Sequence, residues 1–407
     1  MGGWRRTTLG ELCEEGGGGI QTGPFGSQLH ASDYVVHGTP SVMPQNIGDN
    51  SISIDGIARV SDADLARLSK YQLRAGDIVY SRRGDVEKRA LVREENDGWL
   101  CGTGCLRVRL GDSSGNVAAF VSYALGTEDS RAWIVRHSVG ATMPNLNTSI
   151  LSAVPLSIPD ASEQQAIAAV LGALDDKIAA NTKLARTADE LACMLFADSV
   201  RDLQPSAITF GDLGLVGGGG TPSTAVSEYW DGDINWATPT DVTALKGPYL
   251  RGTARTITAD GLEDCASPLY PVGSILMTSR ATIGSFAIAL VPTAVNQGFI
   301  VVNPEDDHLQ YWLFHEMRSR LDEFVALANG ATFLELSRGN FKKFRVRLAD
   351  EAMIKAFDAR AAVLHETASA ALTESDQLAT LRDALLPELM SGRLQVKDAE
   401  TLAGEVL

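Results

Sequence analysis

Positive charge is in short supply in this chain. It carries 35 lysines and arginines against 51 acidic residues, a net charge of −16 over 407 residues. That balance argues against a free-standing nucleic-acid binder, because neutralising phosphates takes cations. Cysteine is also sparse. The five (Cys13, Cys101, Cys105, Cys193, Cys265) are odd in number, and the near pair Cys101/Cys105 lacks a second pair or a nearby histidine. A disulfide framework and a zinc site are therefore disfavoured, and buried free thiols in a reducing compartment fit. No apolar run reaches the roughly 18 residues that span a bilayer. The opening Met1-Gly2-Gly3-Trp4-Arg5-Arg6 leads into no signal-like apolar stretch, so the expected location is the cytoplasm.

Catalytic chemistry is missing as well. The six histidines (His30, His37, His137, His308, His315, His365) show no metal-ligand spacing and pair with no serine or cysteine nucleophile. The glycine runs Gly16–Gly19 and Gly217–Gly220 lack the Lys-Ser/Thr of a phosphate-binding loop and read as loop glycines at the first strand. One string, Pro159-Asp160 followed by Asp175-Asp176-Lys177, resembles the metal-binding residues of many nucleases. It falls in a strongly helical segment, where residues two apart point in different directions. A metal-dependent nuclease using Asp160, Asp175 and Lys177 stays open as an alternative; no metal or cofactor is expected in this chain.

What is present is one unit written twice. Thr8-Leu9-Gly10-Glu11-Leu12 recurs as Thr209-Phe210-Gly211-Asp212-Leu213, and Gly16–Gly19 as Gly217–Gly220. Pro44-Gln45-Asn46-Ile47 recurs as Pro239-Thr240-Asp241-Val242, and Gly76–Arg83 as Gly273–Arg280. Gly140-Ala141-Thr142 returns as Gly330-Ala331-Thr332, followed by Val154-Pro155-Leu156 against Phe344-Arg345-Val346. The order is kept while the offset drifts from 201 to 190 residues, which is too long for a solenoid repeat and marks a duplicated domain.

Each copy has an α+β part and a helical part. Short runs such as Ile78-Val79-Tyr80, Leu106-Arg107-Val108, Ile275-Leu276-Met277 and Phe299–Val302 are bounded by Gly, Pro and Asn, as strands are. A long segment almost free of Gly and Pro follows each. The first starts at the capping pattern Ser162-Glu163-Gln164-Gln165 and runs to about Asp202. Ile167, Leu171, Leu174, Ile178, Ala185, Ala188, Ala192 and Phe196 keep near-heptad spacing along it, interrupted by Asn181. The second runs from Asp350 to a stop at Pro387, with Ile354, Phe357, Ala361, Leu364, Ala368, Ala371, Leu378 and Leu385 as its stripe. The expected fold is tandem α+β domains, 1–158 and 207–348, separated by two long antiparallel coiled-coil helices in 159–206 and 349–407. The globular parts are nearly neutral: 1–150 carries net −2 and 207–347 net −4, while the rest of the chain carries −10. Local basic clusters occur in both domains, Arg82, Arg83, Lys88, Arg89 and Arg93 in one, Arg338, Lys342, Lys343, Arg345 and Arg347 in the other.

Several longer strings resemble a known family. Gly219-Gly220-Thr221-Pro222-Ser223-Thr224, Glu228-Tyr229-Trp230, Ile234–Asp241, Ser279–Gly284 and Asn296-Gln297-Gly298-Phe299 are similar to a target-recognition domain of type I restriction–modification specificity (S) subunits. Gln21–Ser27 and Gly76–Asp85 are similar to a second variant of that domain. Ser162–Gln165 with Leu174–Ile178, and Leu385–Gly392, resemble the family's spacer helix and C-terminal signature, although Asp350-Glu351-Ala352-Met353 departs from its usual Glu-Gln helix start. The resemblance implies a non-catalytic DNA-recognition subunit in phage defence. Each domain would read half of a split double-stranded site, and the helices would set the gap. Two methyltransferase subunits holding S-adenosylmethionine would dock on the helices, joined by motor–nuclease subunits that use ATP and Mg. A protein-interaction adaptor is the other alternative.

Candidate DNA contacts are residues whose side chains suit base edges or phosphates. Arg83 and Arg280 lie at equivalent places just after a strand, in small-residue loops with Ser81, Arg82 and Ser279. Gln45, Asn46, Thr240 and Asp241 form a second set, Asn296 and Gln297 a third, with Thr221 beside them. Lys88, Arg89, Lys342 and Lys343 are the candidates from the basic clusters. On the helices, Gln165, Leu174, Ile178, Asn181, Phe357, Leu364 and Leu378 are the expected partner-binding positions.

Overall fold

The structure, a computed structural model, describes residues 4–140, 143–328 and 334–404. It divides into two compact units, one made of 1–177 with 377–407 and the other of 178–376. Both are α+β, and each is built around the same pair of sheets.

In the first unit Thr8 starts a short helix, Leu9–Gly16, through a capping box with Glu11, and Gly17 ends it at φ 73°. A five-stranded sheet follows, in the order Gly19–Thr22, Cys105–Arg109, Ile78–Ser81, Arg89–Leu91, Asp49–Asn50. Its central strand is buried on both faces, which is why Ile78-Val79-Tyr80-Ser81 carries almost no polar alternation. A three-stranded sheet of Ala58–Val60, Tyr34–Val42 and Leu100–Cys101 is interleaved with it along the chain.

The second unit repeats this order. Its larger sheet runs Gly214–Gly217, Phe299–Pro304, Ile275–Thr278, Phe286–Ala289, Tyr249–Leu250, and its smaller one Thr256–Ile257, Trp230–Ala237, Thr293–Val295. Register fixes which residues are equivalent. Ile78 pairs with Val108 as Ile275 pairs with Val302, so Arg83 and Arg280 coincide, as the sequence suggests. The glycine runs do not coincide. Ile20 opposite Val108 matches Val216 opposite Val302, so Gly217 stands where the first copy has Gln21, and Gly219 where it has Gly23. The real constraint is at that last position: a Cβ on Gly23 would meet the Gly102 carbonyl at 2.1 Å, and one on Gly219 the Val295 carbonyl at 1.8 Å.

The two long helices are Ala161–Ser199 and Glu351–Met390, each nearly 60 Å of helix. Both are shared between the units. Within the second unit they run antiparallel: Ala185 and Ala188 pack with Ala368, Ala371 and Leu372, and Phe196 meets Phe357 at 5.5 Å between ring centroids. Asn181, 5% exposed, donates to Glu374 at 2.7 Å between those two contacts and the unit's end. Small residues at the seam let the helix axes approach closely. Within the first unit the same antiparallel sense brings Arg382 to Asp175.

Two helix boundaries differ from expectation. Asp160, not Ser162, caps the first helix, its Oδ1 accepting from the Ser162 and Glu163 amides. Gln164 turns inward instead, donating to Asn116 and to the Pro159 carbonyl. The second helix passes through Pro387 to Met390, because a proline one turn from the end removes a single amide, and Gly392 at φ 67° then ends the run.

Candidate nucleic-acid interface

In the first unit three chain segments meet at the end of the central strand. Arg82 donates its amide to Gly104 and accepts at its carbonyl from Leu146, while Gly84 donates to Pro144. Arg83 sits opposite Asn145 in an isolated bridge, and Gly84 takes φ 73°. The half-buried Arg82 guanidinium lies 5.8 Å from the ring of Phe25, itself 53% exposed. The second unit rebuilds this junction bond for bond. Ser279 donates to Gly298 and accepts from Leu336, and Ala281 donates to Leu334. Arg280 sits opposite Glu335, and Ala281 takes φ 58°, a left-handed conformation that costs an alanine about 1 kcal/mol or more.

The expected contact residues separate into exposed and internal groups. Gln45, Arg83, Lys88, Thr221, Thr240, Arg280, Gln297, Lys342 and Lys343 are exposed. Lys88 is held by Asp85 at 2.7 Å, and Thr221 donates to Gln297 at 2.8 Å. Asp85, two residues from Arg83, pairs with Lys88 and not with that arginine. Arg83, Lys342 and Lys343 make no side-chain hydrogen bond or ion pair among the described residues; neither do Arg338 and Arg345 beside the two lysines.

The internal group corrects the sequence reading. Asn46 is 1% exposed and its Oδ1 accepts from the Met43 amide, closing a turn. Asp241 does the same at the equivalent place, accepting from the Thr238 amide and hydroxyl and from the Ala254 amide. Ser81 is buried and donates to the Arg83 carbonyl, and Ser279 is 3% exposed. Arg89, also 3% exposed, donates to the Ser122 carbonyl at 2.6 Å and pairs with Asp49. Asn296 accepts from the Gly298 amide in a turn. Asn46, Ser81, Ser279 and Arg89 are thus buried behind the loops, whereas Asp241 and Asn296 are half-buried with their carboxylate and carbonyl oxygens used in turns. Arg93 leaves the basic cluster too, bound to Asp176.

The nuclease-like string dissolves into structural roles. Asp160 caps a helix, and Asp175, 9% exposed, accepts from Tyr123 at 2.6 Å, Arg382 at 2.8 Å and Asn50 at 3.4 Å. Burial works against the Arg382 charge, but the hydrogen bond and charge of Asp175 outweigh it and raise its pKa. Fifteen residues along one helix also put Asp160 and Asp175 about 22 Å apart. Among the described residues no group of three His, Cys, Asp or Glu is placed to hold a metal. All five cysteines are free, and burial pushes the Cys101 thiol up to about 12, far from a reactive thiolate.

The long helices correct the partner positions. Leu174, Asn181, Phe357 and Leu378 are buried within the chain itself, and Ile178 and Leu364 are half-buried. The exposed apolar side chains are others: Leu184, Leu191 and Met194 on one face of the first helix, Met353 and Val363 on the second. Gln165 alone of the expected set is exposed. No helix is long and apolar enough to cross a membrane among the described residues.

The model of the type I restriction modification DNA specificity domain matches residues 1–188 and again 207–351. The chain belongs to that family. It is a recognition subunit and not an enzyme in its own right, which agrees with the structural roles of Asp160 and Asp175. The specificity subunit of the MjaIX type I restriction enzyme of Methanocaldococcus jannaschii is 38% identical over 137 residues, 33% of this chain and 32% of that one. The HindI specificity subunit of Haemophilus influenzae is 22% identical over an alignment covering 87% of this chain and 95% of its own. A solved S subunit from M. genitalium shares the fold, with a TM-score of 0.59 and 16% identity over 95% of this chain and 96% of that one. Two matches of one family domain in tandem are the duplication that the repeats and the two sheet orders display.

The sequence missed Asn145, Glu335 and Phe25. A signal for the first two existed, since the repeat at Gly140 and Gly330 carries Asn145 onto Glu335. Of that repeat, Ala141, Thr142 and Gly330 to Thr332 lie outside the described residues.

Proposed function

We propose that this specificity subunit reads a split double-stranded DNA site, one half through the loop junction around Arg83 and the other through that around Arg280. The observation carrying this is the bond-for-bond repetition of the junction, with an exposed guanidinium at the same place in each unit. Arginine suits guanine edges and phosphates alike. The antiparallel helices would set the gap between half-sites. Their exposed apolar residues, Leu184, Leu191 and Met194 above all, would take up methyltransferase subunits. With a net charge of −16 the subunit would rely on such partners for much of its phosphate affinity. S-adenosylmethionine, and ATP with Mg on a motor–nuclease subunit, would be held by those partners. A cytoplasmic place of action follows.

Exchanging residues 207–348 for the corresponding domain of a relative, then mapping methylated sites in cells carrying the complete system, tests the reading. One half of the methylated sequence should change. A simultaneous change in both halves, or none with an active complex, would defeat it.

A further inference from the structure

The two junctions differ at one facing position. Register and hydrogen bonds make Asn145 and Glu335 equivalent: each lies opposite the loop arginine, and each precedes a leucine whose amide bonds the residue before that arginine. In the second unit Glu335 Oε1 is 2.9 Å from an Arg280 terminal nitrogen, with both side chains nearly half exposed. In the first unit the facing residue is a half-buried amide, and the Arg83 guanidinium has no carboxylate among the described residues.

We infer that Glu335 is a specificity-determining residue of the second domain, acting by capturing Arg280. The inference rests on the DNA-reading function proposed above. A captured guanidinium is held in one direction and half neutralised. It presents donors from the arginine and an acceptor from the carboxylate, which together suit a base edge better than a phosphate. Arg83, uncaptured, reaches a phosphate or the O6 and N7 of a guanine without a competing acceptor. Two copies of one scaffold thus ask different questions of their half-sites, and the residue facing each loop arginine is part of the difference. The carboxylate also lowers the sequence-independent attraction of the second domain, because it cancels a charge that would otherwise displace a counterion.

Reciprocal variants test this. Glu335→Asn copies the first domain into the second, and Asn145→Glu does the reverse. Both positions are at least partly exposed, so neither change disturbs the core. Each would be assembled with its methyltransferase subunits, titrated with a random-sequence duplex over a salt series, and used to select from a pool of random duplexes. Glu335→Asn should steepen the log–log salt slope by about 0.9, which between 50 and 200 mM salt is a further 3.5-fold or so of lost affinity. It should also change the preferred base at one position in one half-site. Asn145→Glu should flatten the slope by a similar amount and alter the other half-site only. In an Arg280→Gln background, Glu335→Asn should leave the slope where it was. Equal steepening there would mean that Glu335 merely repels DNA, and capture would be wrong. Unchanged slopes and preferences, in a complex that still selects a split site, would overturn the inference alone. A wild-type complex that selects no split site would remove the reading beneath it as well.

Discussion

At the scale of single residues, the charged groups with the largest structural consequence are inside. Arg382 is 13% exposed and holds Asp175, Asp49 and Asp383. Truncating it strands Asp175 with only Tyr123 and Asn50, and a buried carboxylate robbed of its cation destabilises by about 3–5 kcal/mol. Arg382→Ala should therefore lower the urea midpoint of the first unit sharply; a change under about 1 kcal/mol would show water reaching the pair. The second unit has a neutral counterpart. His315 and His365, 1% and 2% exposed, meet Nε2 to Nε2 at 3.0 Å, flanked by Tyr249 on one side and Cys193 on the other. Burial holds His315 at about 3, with the His365 and Arg318 charges adding to it, and burial holds His365 at about 4 against the pull of Asp189. Both lie below the unfolded value near 6.5, so the unfolded chain takes up protons first as pH falls. Their contribution to stability is complete above that value and should drain away between about pH 6.5 and 3, at up to roughly 2.7 kcal/mol per pH unit while both histidines contribute. Melts from pH 7 to 5 measure it, and His365→Gln should roughly halve the slope; an unaltered slope would place the acid sensitivity elsewhere.

At the scale of elements, the alanine seam sets how closely the long helices approach. Ala368 is 1% exposed within it, so Ala368→Leu forces an extra three carbons into closed space and should cost about 1–3 kcal/mol. A stabilised variant would mean the helices can part without penalty. Those helices were the most legible feature of the sequence, because heptad spacing and the lack of glycine both report a buried stripe directly. Their ends were less so: Asp160 outcompetes Ser162 as a cap, and Pro387 is absorbed in the last turn. The loops divide in the same way. Equivalence of Arg83 and Arg280 could be read from the repeats, since strand residues around them are fixed by burial. The fate of Asn46, Asp241 and Arg89 could not, because an amide, a carboxylate or a guanidinium suits a base edge and a backbone amide or carbonyl equally well. Sequence names the chemical group; only the fold says which way it faces. The same holds for Leu174 and Phe357, whose apolar spacing marks a buried face without saying that the burying partner is this chain itself.

At the scale of the whole molecule, both long helices are shared between the units, with the divisions after Lys177 and after Asp376. Seven residues inserted at each place would add two helical turns, roughly 10 Å, to each helix while keeping the heptad phase. If the helices set the gap between half-sites, methylated sites should then be about three base pairs further apart, with both half-sequences unchanged. An active complex with an unaltered gap would show that spacing is fixed by something other than helix length.

That division has a bearing on how the chain is made. The first unit needs residues 377–407, whereas the second is complete by residue 376. On the ribosome the domain whose synthesis begins first is therefore the last to close. At about 5–20 residues per second, its first 177 residues wait some 10–40 seconds for their final strand of chain. Throughout that interval Asp175 lacks Arg382, and the nascent first unit lacks its covering helix. Chains arrested soon after residue 376 has cleared the ribosomal tunnel should resist protease across 178–376 and be cut within 1–177. A chaperone bound to the nascent chain would be expected on its amino-terminal half, the part with the longest wait.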